Sequence, residues 1–144
     1  MHQGVEWIRM EDEGFIELVG PIYHLPFKDG VGRFRFVPEP KHRNGQELVN
    51  GGMLMTFADR SLGTTARQVD MRRRQATVQL DVHFIRFPRI GESIEMECRI
   101  VRETRSIVFL DGVMSVRGDV VATAKGVWKI LSNDNRAGRR ARVQ

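Results

Sequence analysis

An acid and a pair of glycines, Asp59 with Gly51 and Gly52, are the groups in this sequence best placed to do chemistry together. They lie in the stretch from Asn44 to Gln68, NGQELVNGGMLMTFADRSLGTTARQ. A polar loop ends at Asn50-Gly51-Gly52, and apolar residues then recur at helical spacing from Met53 to about Arg67. Leu54, Ala58, Ser61 and Thr65 fall on one line, with Met53, Phe57 and Leu62 beside it. Asparagine is a favoured N-cap residue. The first N–H groups of a helix have no partner within it, and the helix dipole is positive at that end. Gly51 and Gly52 are therefore placed to offer bare amides to an oxygen that gathers negative charge. Asp59 follows two turns later, on a face shared with Gly52, Thr56, Gly63 and Ala66. Those residues are small and leave room for a crevice, whereas an ordinary helical aspartate is simply solvated.

The elements that must hold these groups follow from the rest of the chain. With 144 residues, 41% hydrophobic and 28% charged, the sequence fits one globular domain with its own core. No apolar run approaches the roughly 20 residues that span a bilayer. The opening MHQGVEWIRMEDEG holds no apolar signal core, so the cytoplasm is expected. A single cysteine, Cys98, excludes an internal disulfide. The four histidines, His2, His24, His42 and His83, lack metal-ligand spacing, so no metal is expected.

The net charge of +5 and a pI near 10.1 suit nucleic acid or a phosphate-bearing small molecule. The arginines cluster at Arg72–Arg74 and at Arg136, Arg139, Arg140 and Arg142. They lack the interleaved aromatics that stack on bases, so they read as a solvated loop and tail and not as a specific nucleic-acid surface.

Before the helix, a loose or helical N-terminal arm leads to a strand over Gly32–Val37. After it, strands are expected over Gln75–Phe87, Ser93–Val101, Ser106–Val116 and Val120–Leu131. In the first of these, Val78, Leu80, Val82 and Phe84 alternate with Thr77, Gln79, Asp81 and His83. In the last, Ala122, Ala124, Gly126, Trp128 and Ile130 share one face. Arg117-Gly118-Asp119 matches an adhesion motif but falls where a hairpin is expected. The fold class is α+β: an antiparallel sheet of about five strands wrapped around one long central helix. One domain covers residues 1–131, and residues 132–144 form a basic tail expected to be disordered.

This order of elements resembles the hotdog fold, and the local sequence is similar to the hotdog acyl-CoA thioesterases of the phenylacetate-pathway type. Those enzymes carry an asparagine, His-Gly-Gly six residues later, and an aspartate in the next helix. Asn44, Asn50-Gly51-Gly52 and Asp59 stand at those spacings, and Thr77 stands where a hydroxyl is expected early in the following strand. The stretches VHFIRFPRIGE, Val82 to Glu92, and RETRSIVF, Arg102 to Phe109, also look like the family's turns. The similarity runs from about Gly14 to Leu131. One departure is Asn50 in place of the family's histidine, which supports the loop by hydrogen bonding. Asparagine can cap and hydrogen-bond but cannot titrate.

The resemblance implies hydrolysis of an acyl-CoA thioester, with CoA as part of the substrate and no separate cofactor. It makes Asp59 the general base or the nucleophile and the Gly51 amide the oxyanion donor. Asn44 shapes the loop or adds a donor, and Thr77 holds the water or the carboxylate. Asn50 and Gly52 fall on the substrate side. Arg86, Pro88 and Arg89 in one turn, and Arg105 with Ser106 in another, fall where the family binds the pantetheine arm and nucleotide. The forked guanidinium suits phosphate. The family's site lies between subunits, which implies a homodimer, paired again into a homotetramer. Met53, Met55, Phe57 and Leu62 suggest an apolar lining for medium-chain or aryl acyl groups. The competing reading is a hotdog protein that holds an acyl-CoA or another apolar ligand without cleaving it. A dehydratase needs a histidine-based site, and the histidines are expected to stand clear of the central helix and its loop.

Overall fold

The computed structural model describes residues 4–132 of the chain. The tail expected over residues 132–144 lies, but for Ser132, outside them. Helix α2, Gly51–Ala66, forms where the periodicity places it, starting two residues earlier. Its N-cap is Asn50, whose Oδ1 accepts from the Gly52 N–H at 2.7 Å and the Met53 N–H at 3.3 Å. The face bearing Met53, Leu54, Phe57, Ala58, Ser61, Leu62, Thr65 and Ala66 is buried. It packs against β3 (Val31–Phe36), β4 (Gln75–Phe84), β5 (Ile94–Glu103), β6 (Ile107–Val116) and β7 (Asp119–Ile130) alike. Phe57 is fully buried, and its ring lies 5.6 Å from that of Phe36 on β3. Truncating such a residue to alanine typically costs about 3–5 kcal/mol.

Among the described residues the sheet is antiparallel throughout and has seven strands, in the order β1-β2-β3-β5-β6-β7-β4. The excess over the expected five comes from β1 (Ile8–Arg9) and β2 (Tyr23–His24), which extend the edge beside β3. Two residues are too few to show alternation, so pairing with β3 and not local pattern makes them strands. Between them, α1 (Gly14–Val19) gives the arm its helical turn. At the other end, Arg117 and Gly118 take φ of 50° and 83° in the two-residue β6–β7 turn. Positive φ at both positions matches the strand twist, so the triplet serves as a hairpin.

Strand β4 does not alternate as expected. Leu80, Val82 and Phe84 pack on the core, but Val78 is 59% exposed. Thr77 pairs with Trp128 and Gln79 with Val127, so Val78 is an extra, bulged residue. The bulge moves Thr77 from the outer face to the face of Leu80, toward α2. One long helix wrapped by an antiparallel sheet is the hotdog arrangement.

Candidate active site

The loop before α2 is fixed by its own polar atoms. Asn44 Oδ1 accepts from the Gln46 N–H at 2.7 Å and the Leu48 N–H at 3.2 Å, and the Asn44 N–H donates to Leu48 O at 2.7 Å. This is the local side-chain-to-backbone turn that asparagine favours, so Asn44 shapes the loop. His42, expected to stand clear of this loop, opens it instead. It is buried edge-on against Phe36, with ring centroids 4.7 Å apart. Its Nδ1 accepts from the Glu39 N–H at 2.9 Å, and its Nε2 bonds Val19 O on α1. Its own carbonyl accepts from the Asn50 N–H at 2.8 Å. With both ring nitrogens engaged, His42 is a brace between the arm and the helix start.

That brace delivers the amides. The cap occupies the N–H of Gly52, so the expected pair of bare amides reduces to one: among the described residues the Gly51 N–H has no hydrogen-bond partner. Beside it stand Phe84 and Phe87, stacked with centroids 5.1 Å apart. A Cβ on Gly51 would lie 3.4 Å from the Phe87 ring. These two rings, and not the expected lining, border the amide: Phe57 and Leu62 are fully buried and Met53 is 7% exposed, all beneath the sheet. Of the four residues expected there, only Met55 is exposed.

Asp59 is half-buried, and Thr77 Oγ1 donates to its Oδ1 at 2.7 Å. One turn on, Gly63 lets β7 come close: a Cβ there would sit 3.1 Å from Trp128 Nε1. Thr77 and Trp128 are themselves partners across β4 and β7, so Asp59, Thr77, Gly63 and Trp128 form one cluster. On the neighbouring flank of the helix, Arg60 donates Nε and Nη2 to Asp12 Oδ1 at 2.8 and 2.7 Å, tying the arm to α2. Nothing in the sequence marks that pair, which is 48 residues apart.

The basic turns are at opposite ends of the sheet. Val49 N–H donates to Pro88 O at 2.9 Å, which sets the Arg86–Arg89 turn beside the loop. Glu92 organises this turn, accepting from the Arg89 N–H at 2.7 Å and from Arg86 Nη1 at 3.1 Å, with Arg117 Nη2 at 3.4 Å. The Arg89 amide first, and the Arg86 guanidinium with it, hold the Glu92 carboxyl below its usual range. Arg86 is thus partly committed, while the side chains of Arg89 and Arg105 make no ion pair among the described residues. Arg105 and Ser106 lie in the β5–β6 turn, where Ser106 O accepts from the Ile130 N–H at 2.7 Å. That turn is at the end of β4 nearer Thr77.

Comparison with known proteins bears on this arrangement. The thioesterase superfamily model matches residues 46–123, which include α2, β4, β5 and β6. No protein of curated function matches the sequence significantly. Among solved structures, zebra fish thioesterase superfamily member 2 superposes with a TM-score of 0.75 at 18% identity, covering 85% of this chain and 89% of that one. The E. coli PaaI protein from the phenylacetic acid degradation operon gives 0.72 at 14% identity, with coverage of 77% and 80%. A hypothetical thioesterase from Streptococcus pneumoniae, solved with coenzyme A, gives 0.70 at 15% identity, with 77% and 89%. These structures are alike in fold. With more than half of its length matched by the family model, the chain belongs to the thioesterase superfamily.

Proposed function

We propose that the chain is an acyl-CoA thioesterase whose active site is completed by a second copy of itself. The observation that carries this reading is the Asp59–Thr77 pair on one side of α2 and the unpartnered Gly51 amide at its start. Eight residues of helix separate them by about 12 Å. A carbonyl oxygen and the atom attacking its carbon lie within a few ångströms of each other, so one chain cannot act on one thioester with both groups.

Strand β4 suggests how two chains would. Among the described residues it pairs only with β7, and its other edge, ten residues long, is open. An open edge of that length is a template for pairing. Antiparallel pairing with β4 of a second copy would set the Thr77 end against the partner's Phe84 end. Asp59 would then approach the partner's Gly51, and the Arg105 turn the partner's Arg89. The homodimer is the minimal unit of this reading, and homotetramer its expected larger form.

In the reaction, Asp59 takes a proton from water as the water oxygen bonds the thioester carbon, or its carboxylate attacks that carbon first and water releases the resulting anhydride. Either way the carbonyl oxygen gains charge against the partner's Gly51 N–H, a donor worth about 3 kcal/mol in such sites. On the first route the carbon–sulfur bond then breaks and the thiolate takes the proton held by Asp59 to leave as CoA thiol; on the second the bond breaks as the anhydride forms, and the water that later splits the anhydride supplies the thiolate's proton. Thr77 orients the carboxylate. Arg89 and Arg105 are the candidates for the CoA phosphates; a structural relative was solved with coenzyme A. The cytoplasm expected from the sequence fits this substrate. The test is a panel of medium-chain and aryl acyl-CoAs with thiol release followed. Turnover that Asp59→Asn abolishes is expected. Tight binding without turnover would replace this reading with that of a ligand-holding hotdog protein.

A further inference from the structure

Beside β2 and β3, at the far side of the sheet from Asp59 and Thr77, lies a hollow of about 410 Å³. It opens on the outer face: along β3 Phe34 and Phe36 are buried against α2, and Arg33 and Arg35 alternate with them. Trp7, Pro21, Tyr23 and Val37 line the hollow, together with Arg35 and Glu39. A few hundred cubic ångströms of mostly apolar wall with one or two charges is the usual make-up of a small-molecule site. Arg35 is the group there that lacks a partner. It is half-buried, opposite Tyr23 on β2 and Glu95 on β5. Its Nε is shut off from water and has no acceptor. Its guanidinium makes no ion pair among the described residues, whereas Arg33 has Glu97 at 3.6 Å. The Trp7 ring covers it, with the ring centre 5.9 Å from the guanidinium carbon. A ring on the face of a guanidinium leaves its edge, where the N–H groups lie, open to an acceptor. A desolvated cation with no acceptor costs free energy that a carboxylate would recover.

We propose that this hollow binds a small monocarboxylic acid with an aryl or other compact apolar body. The carboxylate accepts two parallel N–H bonds from the Arg35 guanidinium. The body lies against Trp7, Tyr23, Pro21 and Val37. Glu39 is exposed and borders the same space, so it repels a second negative charge and limits the ligand to one. Strands β5, β6 and β7 stand between β3 and β4, so the hollow shares no residue with the cluster at Asp59 and is independent of the reaction proposed there. Pairing of two chains through their β4 edges leaves it open.

Proton–nitrogen correlation NMR of the full chain, titrated with hydrocinnamate, tests this. The signals of Trp7, including its indole N–H, and of Tyr23, Arg35 and Val37 should move and saturate. Hydrocinnamamide has the same body and no charge. It should bind about 10- to 100-fold more weakly, the range that a hydrogen bond to a charged group supplies. Arg35→Gln should weaken the acid by a similar factor and leave the amide unchanged. Phenylsuccinate, with its second carboxylate, should bind more weakly than hydrocinnamate. Equal affinity for acid and amide overturns the proposal, as does wild-type affinity for the acid in Arg35→Gln or tighter binding of phenylsuccinate. Saturating shifts confined to the residues around Gly51 and Asp59 also overturn it, since the acid then binds only where a thioesterase releases its product. Should Arg35→Gln fail to fold, the acid and amide on the wild-type chain decide alone.

Discussion

Thr77 Oγ1 donates to Asp59 Oδ1 at 2.7 Å, from an edge strand to the central helix, and it does so because Val78 is bulged out of the β4 ladder. Strict alternation back from Leu80 would turn Thr77 away from the helix. Hydrogen bonds to charged groups are worth about 1.5–3 kcal/mol. Thr77→Val should therefore lower kcat/KM by about 10- to 100-fold in the acyl-CoA assay. Thr77→Ser should stay near wild type. Equal activity in both would remove Thr77 from the site.

The cap separates stability from catalysis. Asn50→Ala removes the acceptor of the Gly52 and Met53 amides. It should cost about 1 kcal/mol in urea denaturation. Asn50→Asp keeps a cap acceptor, so stability should hold. It also sets a negative charge beside the Gly51 amide, where the oxyanion forms, so kcat should fall. Unchanged kcat in a stable aspartate variant would argue against an oxyanion at Gly51.

Glu92 gives the fold an acid limit. Its pKa is lowered in the folded chain, chiefly by the Arg89 N–H and then by the Arg86 guanidinium. A lowered carboxyl pKa contributes stability above the unfolded value, near 4.5, and the contribution is lost as pH falls through the folded value. Denaturant midpoints of wild type and Glu92→Gln should differ most at neutral pH and draw together as pH falls below the unfolded value of 4.5 and through the lower folded one. A difference that stays constant with pH would show that charge is not what Glu92 supplies.

Gly63 sets the spacing between α2 and β7. Alanine brings a Cβ 3.1 Å from Trp128 Nε1 and should be tolerated after a small shift. Leucine has no room, and overpacking of this kind costs about 1–3 kcal/mol. Its tryptophan emission should change along with its denaturation midpoint. A leucine variant as stable as wild type would show that the helix and strand are not in close contact.

What the sequence makes legible here is what neighbours along the chain decide. The period of Leu54, Ala58, Ser61 and Thr65 marks α2, the asparagine before two glycines marks its cap, and alternation marks β5 and β7. What it hides is decided by distant partners. The bulge at Val78 depends on register with β7, and β1 and β2 exist through pairing alone. Arg60 meets Asp12 and His42 meets Val19 only after the chain has closed. The spacing of Asn44, Gly51, Asp59 and Thr77 indicates a set of residues. Only coordinates show that Asp59 and Thr77 touch and that Gly52 is already spent on the cap.

Complementation between two inactive chains tests most directly whether the carboxylate and the amide act across a subunit boundary. Asp59→Asn removes the first group. Gly51→Pro removes only the N–H, at the first helical position, where proline is well tolerated. In a heterodimer of the two variants, one interface joins an intact Asp59 to an intact Gly51, and the other joins neither. The purified heterodimer should recover about half of the wild-type activity while both parent homodimers stay inactive. A heterodimer as inactive as its parents would contradict a site shared between two chains.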